Sequence, residues 1–128
     1  MAYTIDRLLT GFSFDDADAR TRAALQAKGF GVLTEIDVKA TMKKKLDKDM
    51  PGYRILGACN PGMAFDAIGV EPRVGAMLPC NVILREVDGG VEVSAVDPVA
   101  SMSAIENADL HAVAGKVRDA LSQAVAAI

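Results

Sequence analysis

The sequence predicts an α+β domain, an antiparallel β-sheet covered by helices in the order β-α-β-α-β-α-β-β-α, and three observations carry that prediction. Strand-like runs alternate with capped helical segments along the 128 residues. Taken alone, this alternation points to a parallel α/β sheet. Asp88-Gly89-Gly90, however, separates two strand patterns, and a tight turn of this composition joins antiparallel neighbours. The C-terminal segment then places Leu110, Val113, Val117, Leu121, Ala124 and Ile128 on one apolar stripe, long enough to cover a sheet face. The hairpin and the terminal helix decide for the antiparallel arrangement. The length fits one domain over residues 1–128, large enough to bury a core without metal or disulfide staples.

The elements follow in order. Tyr3 to Leu9 mixes β-branched and apolar residues and reads as a strand ended by Gly11. Ser13 followed by Phe14-Asp15-Asp16 is a helix cap with acids in the first turn. Phe14, Ala17, Thr21, Ala24, Leu25 and Lys28 then fall at helical spacing, with Asp18, Arg20 and Arg22 off that face and Gly29 closing the helix. Phe30 to Ile36 is the second strand, and Asp37 caps a short helix on which Val38, Met42 and Leu46 recur every fourth position among lysines. Pro51-Gly52 breaks it. Tyr53 to Ala58 is the third strand. Asn60 as cap and Pro61 at the first helical position predict a helix over Met63 to Ile68, ended by Pro72. Val74 to Leu78 reads as an apolar linker. Asn81 to Val87 and Val91 to Val96 form the hairpin, and Asp97-Pro98 stops it. Ser103 to Glu106 has the capping-box pattern and Asn107 is a second cap for the last helix.

Composition bounds the function. Hydrophobic residues make up 51% and charged residues 24%, with 14 basic and 17 acidic side chains and a net charge of −3. The apolar share excludes disorder. The absence of a basic excess argues against nucleic acid as a partner. Aromatics at 5%, with no Trp, argue against a base-stacking platform. Part of the apolar excess is expected between subunits. The first residues lack a basic segment followed by an apolar run, and no uncharged apolar stretch of about 18 residues occurs, so no signal peptide and no membrane partner are expected. A cytoplasmic location follows as the expectation, with Cys59 and Cys80 as thiols rather than a disulfide.

The feature that points to chemistry is an echo. Gly57-Ala58-Cys59-Asn60-Pro61 ends one strand and Leu78-Pro79-Cys80-Asn81-Val82 begins the next. If those strands pair antiparallel, the two thiols are neighbours. Cys59 also directly precedes a capped helix, a setting that favours thiolate over thiol. Two such cysteines fit a redox pair, a soft-metal clip or a covalent nucleophile. They equally fit small buried hydrophobes. Two cysteines do not complete a tetrahedral zinc site, and His111 has no ligand spacing to either, so no metal is assigned. Asn60 and Asn81 either line a polar pocket with the thiols or serve as cap and strand-edge residues. Arg54 either neutralises a buried thiolate or faces solvent. Five lysines between Lys39 and Lys48 attract an anion or form a solvated face, partly neutralised by Asp37, Asp47 and Asp49. No glycine-rich phosphate loop, nucleophile elbow or singled-out carboxylate pair is present. No cofactor is indicated.

Thr34 to Thr41, Tyr53 to Pro61, Leu78 to Val82 and Ser94 to Pro98 resemble the domain-of-unknown-function family 302. The resemblance covers almost the whole chain, with small departures at Met50-Pro51-Gly52 and Asn60-Pro61-Gly62. It implies a single small α+β domain of the TATA-binding-protein-like type and a homodimer, in a family occurring mainly in bacteria and archaea. It supplies no activity, and the fold name carries no DNA binding with it.

Three functional expectations remain. One is small-ligand binding or thiol-dependent chemistry at Cys59, Asn60, Cys80 and Asn81, with Arg54 nearby and a small molecule, a sulfur species or a soft metal as partner. A second is a non-catalytic homodimeric interaction domain in which those residues are core and caps. Anion sensing by Lys43 to Lys48 is a third.

Overall fold

The computed structural model describes residues 2–128. The elements are β1 (Thr4–Leu9), α1 (Phe14–Ala27), β2 (Gly31–Asp37), α2 (Val38–Leu46), β3 (Tyr53–Cys59), α3 (Pro61–Val70), a 3-10 helix (Pro72–Met77), β4 (Cys80–Val87), β5 (Gly90–Val96), α4 (Pro98–Ser101) and α5 (Ala108–Ala126). The five strands form one sheet in the order β1-β5-β4-β3-β2, antiparallel at every step.

Side-chain caps set most helix starts. Ser13, Asp37, Asn60, Asp97 and Asn107 each accept a backbone N–H from the first turn of the helix they precede. At its far end α5 is held by Arg7 of β1, whose Nη1 donates to the carbonyls of Val125 and Ala126 at 3.1 and 2.7 Å. Both carbonyls lie in the last turn, where regular helical hydrogen bonds run out; that of Val125 also accepts the Ile128 N–H at 3.4 Å.

Strand alternation divides the sheet into two faces. Leu9, Leu56, Ala58, Val82, Leu84, Val91, Val93 and Ala95 are buried on the face that α1 and α5 cover. With Leu25 of α1 and Val117, Leu121 and Ala124 of α5 they make the main core cluster. The stripe expected on the last helix is therefore the buried one, with Ala114 and Val125 added. A second cluster joins Ala67 of α3, Val74 of the 3-10 helix, Met102, and Leu110 and Ala114 of α5. On the other sheet face Asp6, Leu8, Ile36 and Asn81 are exposed and Ile55 and Ile83 half-buried.

Several local expectations shift. The apolar linker over Val74 to Leu78 is largely the 3-10 helix, with Val74 fully buried. Asp97-Pro98 ends β5 and also starts α4, the arrangement that Asn60-Pro61 uses for α3. The capping pattern at Ser103 starts no helix, because its Oγ donates to the Ala100 carbonyl at 2.8 Å and Asn107 caps α5 instead. In α2 no residue is buried, and Leu46 of its apolar stripe is exposed. Among the described residues no helix is long and apolar enough to cross a membrane.

Candidate functional site

β3 and β4 pair antiparallel with Ala58 opposite Cys80. The end of one Cys-Asn segment therefore lies beside the start of the other. Cys59 is one residue beyond the Ala58–Cys80 pair, diagonal to Cys80 and on the opposite side of the pleat. Two cysteines that leave the backbone toward opposite faces are poorly placed for a disulfide, and both are free thiols. Gly57 tightens this corner. A Cβ there would collide with Thr34 Oγ1 and lie 2.7 Å from Pro79 Cγ, so only glycine lets Thr34 and Pro79 close over the strand.

Cys59 and Cys80 line one cavity of about 30 Å³, roughly the room of two water-sized occupants. Its floor is buried and includes Ala58, Ala67, Cys80, Met102, Leu110 and Ala114. Its half-buried residues, Cys59, Asn60, Met63, Ala64, Leu78 and Pro79, form the mouth, where β3 turns into α3. The cavity sits on the seam between the two core clusters, since Cys80 and Ala58 belong to one and Ala67, Met102 and Ala114 to the other. Phe30 is shared with an open groove of about 490 Å³ between the end of α1, the start of β2 and Pro61.

The two thiols differ. Cys80 is buried, and burial, with a lesser contribution from the charge of Cys59, pushes its pKa from 9.0 up to about 11. It therefore keeps its proton at neutral pH. Cys59 is half-buried and is the thiol that solvent reaches. Asn60 lines the same cavity while its Oδ1 accepts the Met63 N–H at 3.2 Å, so the cap and lining roles coexist in one side chain.

Asn81 and Arg54 lie elsewhere. Asn81 pairs with Gly57, is exposed on the uncovered sheet face, and does not line the cavity. Arg54 lies at the opposite end of β3 on the covered face and is bound to carboxylates rather than to a thiolate. Its Nη1 donates to Asp18 Oδ2 at 2.9 Å, and its guanidinium stacks 5.0 Å from the Phe14 ring. Its Nε lies 3.2 Å from Glu35 Oε1 but makes no aligned hydrogen bond. Arg22 Nε adds a 2.6 Å bond to Asp18. Asp18, which the helical spacing of α1 places off the buried face, is buried because these two arginines pair with it. Burial opposes ionisation of Asp18, and the bonds from Arg22 and Arg54 outweigh it, so its pKa falls below 3.8.

The lysine helix α2 is solvent-facing. Lys43 pairs with Asp47 at 2.9 Å and Asp49 at 3.4 Å, and Lys39, Lys44, Lys45 and Lys48 are exposed. His111 is exposed, away from both thiols' cavity. Among the described residues no group of three or more His, Cys, Asp and Glu side chains is placed to hold a metal ion. Met63 and Met102 were not singled out in the sequence, where a methionine on a helix reads as ordinary core.

Comparison with known proteins bears on this geometry. The family model described as "Domain of unknown function DUF302" matches residues 7–128. This chain belongs to the DUF302 family. A crystal structure titled as an uncharacterized conserved protein DUF302 from Bacillus stearothermophilus shares the fold, with a TM-score of 0.87 at 22% identity, over 97% of this chain and 94% of that one. No curated protein matches the chain. The α+β class and the antiparallel sheet packed with helices are thus shared with that DUF302 structure.

Proposed function

We propose that this DUF302 chain is a small-ligand-binding domain whose site is the cavity lined by Cys59, Asn60 and Cys80. The observation that carries the reading is that both cysteines and Asn60 line a single cavity otherwise walled by apolar residues. Such a cavity favours a small neutral or soft ligand over a charged, strongly hydrated one. Cys59 at the mouth is the thiol that meets an incoming molecule. Cys80 on the floor retains its S–H and acts as a weak donor or a packing group. Asn60, bound to the first turn of α3, holds the mouth in shape.

Thiol mapping over a range of pH tests this reading. A small neutral reagent, methyl methanethiosulfonate, is expected to label Cys59 ahead of Cys80, and Cys59→Ala to abolish that fast phase. If both thiols are unreactive in the folded chain, and Cys59→Ala and Cys80→Ala alter stability alone, the cysteines are packing groups and the reading fails.

A second reading concerns assembly. Leu8 and Ile36 on the uncovered sheet face are each 49% exposed, and Leu33 on the edge strand β2 is 69% exposed. Ile36, Ile55 and Ile83 lie side by side across β2, β3 and β4 on this face, with Leu8 on the opposite edge strand, and such an apolar face favours a homodimer. Sedimentation analysis tests it, with Ile36→Lys expected to dissociate the dimer and leave the monomer folded.

A further inference from the structure

The segment that roofs the cavity turns an apolar face outward. In α3, Met63, Ala64 and Ala67 line the cavity, while Phe65 and Ile68, one turn apart, are 80% and 46% exposed. Phe65 is the most exposed large hydrophobic side chain among the described residues. Residues 61–77 hold only three charged side chains, Asp66, Glu71 and Arg73. Met77, at the end of the 3-10 helix that packs beside α3, is exposed as well. A helix that is apolar on its inner and its outer face is one that a second surface covers.

Charge decides what covers it. Asp66 lies on α3, Glu71 at its C-terminal end, and Glu106 next to Asn107, whose Nδ2 donates to the Val70 carbonyl at 2.8 Å. Over residues 60–79 and 103–109 four carboxylates stand against one arginine. Such a surround repels an anionic lipid surface and attracts a helix that carries an apolar side chain among cations. The chain itself carries that helix. No residue of α2 is buried, Leu46 is 59% exposed, and Lys39 and Lys43 lie two turns and one turn before it on the same side. Over residues 37–49 five lysines stand against three aspartates. The two helices sit at opposite ends of β3. Asp37, the cap of α2, pairs with Arg54 near the start of that strand, and α3 departs just after Cys59 at its end. The 7 residues of β3 hold them apart by roughly 20 Å, so the two surfaces meet only between chains.

We propose that the outer face of α3 docks α2 of a second copy of this chain, with Phe65 and Ile68 packed against Leu46 and the lysines of α2 facing the carboxylates around α3. The contact is heterologous, because different surfaces of the two copies meet. Every copy in a pair leaves one α2 or one α3 free, so association runs end to end and passes beyond two chains. A dimer through the uncovered sheet face uses the same surface on both copies and stops at two. The docking site is independent of what the cavity binds.

The experiment is sedimentation velocity of the full-length chain over a range of concentrations, at low and high salt. It is run for the native chain, Phe65→Gln, Leu46→Glu and an equal mixture of the two variants. Both side chains are largely exposed, so the fold is retained; circular dichroism and the melting midpoint confirm it for each variant. The native chain is expected to grow in mass beyond a dimer as concentration rises and to shrink as salt is added. Each substitution removes an anchor of the contact and is expected to weaken association by about tenfold or more. The mixture is decisive. Phe65→Gln keeps a native α2 and Leu46→Glu keeps a native α3, so mixing restores one contact and raises the mass above that of either variant alone. A sheet-face dimer is untouched by either substitution and gains nothing on mixing. The proposal is overturned if the native chain never passes a dimer, if both variants assemble as the native chain does, or if the mixture sediments as the sum of its parts. Binding to phosphatidylcholine vesicles that Phe65→Gln abolishes, with no self-association, also overturns it and assigns the face to lipid.

Discussion

Alkaline pH is expected to destabilise this protein through Cys80. The side chain is 7% exposed, and burial, with a smaller contribution from Cys59, raises its pKa from 9.0 to about 11. The folded state holds the thiol proton more tightly than the unfolded chain does. That contribution is fully present below about pH 9 and is lost as the pH rises through about 11. The gap between 9.0 and about 11, at about 1.4 kcal/mol for each tenfold, amounts to about 3 kcal/mol in full. About 2 kcal/mol of it is gone by about pH 10.5. The assay is a series of urea unfolding curves from about pH 8 to about pH 10.5, under reducing conditions, for the native chain and Cys80→Ala. Every other side chain is common to both chains, so the difference between the two profiles isolates Cys80. The variant is expected to be less stable by about 1 kcal/mol at the lower pH, as for a small core truncation. It is expected to equal or exceed the native chain at the higher pH. Two parallel profiles would refute the argument, because they would mean that Cys80 meets the same environment folded and unfolded.

Four further outcomes are expected. The low pKa of Asp18 gives stability that is present above its ordinary value of 3.8 and lost as the pH falls through the folded value, so Asp18→Asn flattens the acid limb of the stability profile. Arg54→Met leaves Asp18 with Arg22 alone and is expected to lower unfolding stability by about 2–4 kcal/mol, read from urea curves at neutral pH. Gly57→Ala drives a methyl group against Thr34 and Pro79, between two paired strands, and is expected to lose about 2 kcal/mol or more as a fall in melting midpoint. Ala114→Val fills the cavity from α5; its stability is expected to stay within about 1 kcal/mol of the native chain while Cys59 labelling and ligand uptake both fall.

What could be read from the chain is what local chemistry determines. The hairpin at Asp88-Gly89 and the caps at Ser13, Asp37, Asn60 and Asn107 rest on contacts within a few residues, and each is present. The pairing of β3 with β4, which brings the Cys-Asn segments together, follows from the antiparallel sheet. The misplacements are non-local. Asp18 is buried by an arginine 36 positions away. Asn81 leaves the site because alternation turns it to the other face of the sheet, a fact that needs the register Ala58–Cys80 and Gly57–Asn81. Ser103 forms a recognisable capping pattern whose hydroxyl is spent on closing α4. Met63 and Met102 are 39 positions apart, and only packing of α3 and α4 against α5 brings them to one cavity.

The position of that cavity bears on how occupancy would be felt. At about 24 cal/mol per Å³, a void of about 30 Å³ costs under 1 kcal/mol, small beside a domain stability of about 5–15 kcal/mol. Four alanines, Ala58, Ala64, Ala67 and Ala114, leave the space. Larger residues would join the two core clusters directly; alanines leave them touching chiefly through Val113 and the shared wall. An occupant of the cavity touches Ala58 and Cys80 of one cluster and Ala67 and Met102 of the other, and so bridges both at once. Its binding energy therefore enters the stability of the α3–α4 layer relative to the sheet as well as that of the whole domain. Ligand-dependent protection of amides in α3 and α4, greater than in β1 or β5, is what that coupling means physically.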